Sequence, residues 1–160
     1  GAAVSSGYMN NTSPTSTVFT VINDNDVGTS GYTYMAYCFA DIKGHSKSGL
    51  YYGNSNANGP FVYCGFKPKF ILIKNQNRNE NWTIHDNNMD ADYNVNQTKI
   101  SPNDTAAKSS NSAFAMDFLS NGFKIRTTDT ALNQSGELYA YLAIAAAPLV
   151  GSNNIPCTAR

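Results

Sequence analysis

Charge is scarce in this chain. Only 14% of the residues are charged, and 11 Lys and Arg face 11 Asp and Glu, so there is no basic field to attract nucleic acid or anionic lipid. Glutamate is scarcer still. Glu80 and Glu137 stand alone and read as turn residues, which leaves no glutamate pair for glycoside hydrolysis. Of the two histidines, His45 lies in a Lys/Gly/Ser turn and His85 is followed by Asp86. Neighbours in a strand point to opposite faces, so a triad through His85 would need its acid from elsewhere, and His85 reads as an exposed or rim residue. The three cysteines, Cys38, Cys64 and Cys157, form no CxxC and have no histidine at metal-ligand spacing. Gly49, Gly53 and Gly59 are spaced like hairpin turns, with no lysine or following helix to make a phosphate loop. No apolar run approaches the ~18 residues of a membrane helix. The opening GAAVSSGYMNN has neither the charged start nor the apolar stretch of a signal peptide. It also lacks an initiator Met, so the expectation is a processed chain or a piece of a longer one. No cofactor is expected.

Uncharged polar and aromatic residues fill the space left by charge. There are 21 Asn, 15 Ser and 13 Thr beside 10 Tyr and 8 Phe. Asn and Ser compete for backbone hydrogen bonds and disfavour helix interiors, while Tyr, Phe and Thr suit a pleated surface, so the composition points to an all-β fold.

The chain also repeats itself. Residues 18–40, VFTVINDNDVGTSGYTYMAYCFA, align without a gap on residues 123–145, FKIRTTDTALNQSGELYAYLAIA, at an offset of 105. Asp24 falls on Asp129, Ser30-Gly31 on Ser135-Gly136, Tyr34 on Tyr139, and Cys38 on Ala143. Each copy reads as a strand-turn-strand hairpin, and the recurrence of Asp24 as Asp129 points to a turn-forming role. Strands are expected over 17–22 and 32–42, the latter apolar on both alternating sets and therefore central, with 138–145 alike. Further strands fall at 50–52, 61–66, 69–74, 81–86 and 113–119. Cys38 and Cys64 read as small buried hydrophobes within strands. All three cysteines are expected as reduced thiols, with a Cys38–Cys64 bridge left open. Tyr37 and Leu142, if buried, would each contribute roughly 1.5–3 kcal/mol.

Residues 87–112 form one long polar stretch, of a length that compact domains rarely leave structureless unless it binds something. It holds Asp90, Asp92, Tyr93 and Asn94, just after Asp86. The three acids could form a carboxylate pair, although acids in a polar loop are usually just solvated. Trp82, Tyr93, Tyr51 and Tyr52 lie beside Asn-rich loops in the manner of a glycan site, against the plainer reading of Trp82 as core. Asp24-Asn25-Asp26, and Asp86-Asn87-Asn88 with Asp90, are weak candidates for a calcium ion, since neither run has an EF-hand pattern.

Taken in order, YMAYCFADIKGHSKSGLYYGN, GPFVYCGFKPKFILIK, NWTIHDN, DFLSNGFKIRTTD and SGELYAYLAIAAAPLV resemble a C-terminal domain family of unknown function found in tail-fibre and minor structural proteins of marine and cyanobacterial tailed phages. The resemblance runs from about residue 8 to near the end. Cys64 stands where the family often has Thr, Lys67 where Arg is usual, and Asp41 where Glu is common. The stretch Met89-Asp90…Tyr93-Asn94 resembles one that usually carries an Arg. The resemblance implies a virion protein, assembled in a bacterial cytoplasm with other virion proteins and copies of itself.

The expectation is therefore an antiparallel β-sandwich, with an arm or linker over 1–16, one domain over 17–147 and a tail over 148–160. Its expected role is a non-enzymatic virion module, a tail-fibre or surface-exposed domain attaching to a host surface. The alternatives are a carbohydrate-binding module using Trp82 and Tyr93, a capsid decoration protein, or a glycan-degrading enzyme using Asp86, Asp90 or Asp92.

Overall fold

The structure is a computed structural model and describes residues 6–90 and 93–147. Asp92, Cys157 and the expected tail lie outside the described residues, as does the start of the expected arm. Contacts divide the chain into two compact units, Gly1–Cys38 and Phe39–Arg160, so a boundary falls within the span expected as one domain.

The second unit is all-β and antiparallel. One sheet has the order β1 (Ser46–Tyr52), β9 (Leu138–Ala145), β3 (Pro68–Asn75), β4 (Thr83–Asp86). A second has the order β2 (Phe61–Tyr63), β8 (Gly122–Ile125), β7 (Met116–Leu119). A small ribbon pairs β5 (Thr98–Lys99) with β6 (Ser109–Ser110). The long polar stretch therefore carries secondary structure, and Ser112–Phe114 adds a turn of 3₁₀ helix.

The two main sheets share one core. From the first come Tyr51, Ile71, Ile73, Tyr139, Tyr141 and Ala143; Val62, Met116, Phe118, Phe123 and Ile125 come from the second. Phe123 stands edge-on to both Tyr51 and Tyr141, and Tyr51 stacks on Tyr139 at 5.0 Å. Each fully buried side chain of this size stabilises by roughly 1.5–3 kcal/mol. Alternation explains the choice: in β9 Tyr139, Tyr141, Ala143 and Ala145 are buried, while Leu138, Ala140, Leu142 and Ile144 are half-buried. The strand is central, as expected, but only one of its faces is sealed, and Leu142 lies on the other. Gly49 is needed opposite Tyr141, because a Cβ there would meet the tyrosine ring at 2.8 Å.

Three expectations are corrected. Residues 17–22 and 32–42 form no strand among the described residues. Tyr37, expected in the core, is 79% exposed, and Cys38 is an exposed free thiol while Cys64 is buried. A strand exists only against a neighbour, and periodicity cannot show whether one is present. The second copy is not a hairpin either: β8 and β9 belong to different sheets.

What repeats is the turn. Asp129 caps α1 (Thr130–Asn133) through Oδ1, which accepts from Ala131 N, and the Asp129 carbonyl accepts from Leu132 N and Asn133 N. At the offset of 105, Asp24 Oδ1 accepts from Asp26 N, and its carbonyl from Val27 N and Gly28 N. Tyr139 Oη accepts from Gln134 N and donates to the Thr130 carbonyl. Tyr34 Oη accepts from Thr29 N and donates to the Asn25 carbonyl, the same two positions. Gly136 and Gly31 both take the left-handed conformation, at φ of +76° and +87°. The expected turn-forming role of Asp24 is what the structure shows.

Candidate functional site

β4 and the loop after it set the site. Thr83 and His85 are the buried face of β4, while Ile84 and Asp86 are half-buried and Trp82 is 39% exposed. His85 is thus fully buried, correcting its expected place at the rim. Burial, with Lys99 adding to it, pushes the imidazole pKa down to about 3. The Thr98 backbone weakly favours the charged form, yet neither ring nitrogen reaches a hydrogen-bond partner.

Beyond β4 the acids are occupied by backbone. Asp86 Oδ1 accepts from Asn88 N at 2.8 Å. Asp90 accepts from Gln97 N, Thr98 N and the Thr98 hydroxyl. Burial pushes the Asp90 carboxyl up, but these donors outweigh it and hold its pKa below the usual value. The geometry makes Asp86 and Asp90 loop stitches, neither the merely solvated acids that the sequence favoured nor the carboxylate pair that it left possible. Asn94 also stitches: its Nδ2 donates to the Phe118 carbonyl and its Oδ1 accepts from Phe118 N, in imitation of a paired strand beside β7. Tyr93, immediately before it, is left 76% exposed.

Tyr93 and Asn94, with Lys67, Asn87, Asn96 and Phe118, line a polar pocket of about 70 Å³. Asn96 is 2% exposed, paired through its backbone with Met116 and donating from Nδ2 to the Asp86 carbonyl. Its Oδ1 is buried without a partner, as is Asn87 Oδ1. A buried polar atom left unpaired costs roughly 1–3 kcal/mol, so both oxygens favour a group that donates. An amide oxygen only accepts, and the complementary chemistry is a hydroxyl or N–H beside the open face of an aromatic ring.

The other sequence candidates lie apart from this pocket. Tyr51 is a core residue whose hydroxyl donates to the Leu132 carbonyl, which corrects its assignment to a surface site. Tyr52 is 67% exposed on β1. Trp82 is held by its backbone N–H on Asn103 Oδ1. Asp24 and Asp26 are engaged within their own unit, Asp26 accepting from the Tyr8 hydroxyl at 3.1 Å. Among the described residues no group of three or more His, Cys, Asp or Glu could hold a metal ion. Sequence reasoning missed Lys67, Asn96 and Phe118, and named Asn87 only as a candidate ligand for calcium. The one available signal was that Asn96 shares the alternating set of Asn94.

Fold and site together define an antiparallel β-sandwich domain that carries a small polar pocket on a stitched loop. Residues 1–148 match the family model described as a domain of unknown function, DUF7483, and the chain belongs to that family. No curated protein and no solved structure matches it.

Proposed function

We propose that this chain is a non-enzymatic structural module of a phage virion, a tail-fibre or surface-exposed domain that attaches to a glycan of the host surface. The virion context is supported by the ordered series of motifs resembling phage tail proteins. The observation that carries the attachment reading is Tyr93, exposed next to the clamped Asn94 and lining a pocket whose Asn87 and Asn96 amide oxygens have no partner. Sugars present hydroxyls to such acceptors and an apolar face to such a ring. The acids act as caps, which supports binding over hydrolysis.

The test is a glycan array probed with the intact chain, Tyr93→Ala and Trp82→Ala. The expected result is selective binding, weakened at least about tenfold, or ~1.4 kcal/mol, by Tyr93→Ala and retained by Trp82→Ala. Absence of any selective glycan, or release of reducing sugar that Asp90→Asn abolishes, would overturn the reading.

A further inference from the structure

The two copies of the capped turn lead into different surroundings. After Gly136 the chain enters β9 between β1 and β3, and Tyr139, Tyr141 and Ala143 are buried. After Gly31 the corresponding residues are Tyr34, Ala36 and Cys38, introduced by the same tyrosine lock. They form no strand, and Tyr32, Met35 and Tyr37 are 75%, 77% and 79% exposed. Phe19, Val21, Tyr32 and Met35 line an open groove of about 490 Å³ within this unit.

We propose that residues 32–38 are a strand-pairing surface, and that their partner is the same segment of a second copy of this chain. Four observations carry this. The sequence has strand character, and its counterpart is a strand with neighbours on both sides. Residues 33–38 have no ladder partner among the described residues. No charged residue occurs over 27–40, so the usual guard of an open strand edge is missing and nothing opposes the approach of an identical segment. The exposed aromatic and Met side chains, at ~150–250 Å² for a whole aromatic, offer several hundred Å² per chain, the order of the ~800 Å² per partner of a stable interface.

The sheet of a second copy is a poorer acceptor than the segment itself. At the outer edge of β1, Ile42 bridges Ser46, and the Asp41 carboxylate accepts from Ser48 N at 2.6 Å. At the outer edge of β4, Ile84 is bridged by Ile100. Two antiparallel copies of residues 32–38 complete each other's backbone hydrogen bonds and cover each other's apolar side chains. This pairing is independent of the virion reading.

Sedimentation velocity of the full chain, under reductant so that Cys38 cannot bridge, tests it. The expected result is a concentration-dependent dimer below about 100 μM, with slowed amide exchange at residues 33–38 in the dimer. Met35→Lys with Tyr37→Lys changes two side chains that are mostly exposed, so the variant keeps its fold and thermal midpoint while its dimer dissociates at least about tenfold more readily. A chain that stays monomeric throughout this range overturns the proposal, and so does association that the double variant leaves unchanged.

Discussion

Acidification should destabilise this protein through His85, and by an amount the structure sets. The ring lies on the buried face of β4, opposite Ile71 of β3, with no partner for either nitrogen. Its folded pKa is pushed down to about 3, from 6.5. Between those values the unfolded chain binds a proton that the folded chain refuses. The contribution is therefore intact above pH 6.5 and is lost progressively as pH falls toward 3. At 1.36 kcal/mol per pKa unit the loss is about 2 kcal/mol at pH 5 and about 3 kcal/mol near pH 4. Of the charged groups facing the ring, Lys99 reinforces the depression and Asp90 opposes it weakly. Asp41, Asp90 and Glu137 are also held below their usual pKa and lose stability in acid, but they are common to wild type and variant. Urea unfolding of wild type and His85→Leu from pH 7.5 to 4.5 isolates the effect of the ring. The variant gains on wild type as pH falls, by about 2–3 kcal/mol at the acidic end. A difference that stays constant across the range would refute a buried, neutral His85.

Two further substitutions probe the polar joints. Asn133 is fully buried; its Nδ2 reaches the carbonyls of Thr127 and Asn56 and Oδ1 of Asn54, and its Oδ1 accepts from Asn54 N. Asn133→Ala should therefore cost about 2–4 kcal/mol by denaturant midpoint, with amide exchange rising in residues 54–58. Asp90→Asn, which weakens the clamp on Gln97 and Thr98, should cost about 1 kcal/mol at neutral pH. That difference should hold down to the ordinary carboxylate value of 3.8 and shrink only as pH falls further, toward the depressed value of the folded carboxyl; a penalty already lost well above 3.8 would count against the clamp.

The central place of 138–145 was readable, but alternation could not name its sealed face, because both sets are apolar: Tyr139 and Tyr141 of β9 and Ile71 and Ile73 of β3 are buried, while Leu142 and Leu72 lie on the other face. The same logic misplaced His85, since Trp82 and Ile84 looked like the inward set and Thr83 and His85 like the outward one. Burial follows the sheet's packing rather than residue type, and β4 turns its polar set inward. Residues 32–42 have the composition of a central strand, but composition carries no information about whether a neighbouring strand is present. The repeat was visible as letters at an offset of 105, while its content, a tyrosine hydroxyl tying one turn, depends on contacts that letters do not display. The pocket was half legible. Tyr93 and Asn94 stood out in a long loop and Asn87 drew notice only as a calcium candidate, whereas Asn96 vanished among 21 asparagines.

One capped turn occurs twice in this chain, leading once into a sheet-bound strand and once into a segment that forms no strand. Amide exchange by mass spectrometry on the Met35→Lys/Tyr37→Lys variant measures both segments in one sample. Strong protection is expected across 138–145, with exchange near the unfolded rate across 33–38. Equal exchange in the two segments, fast or slow, would contradict it.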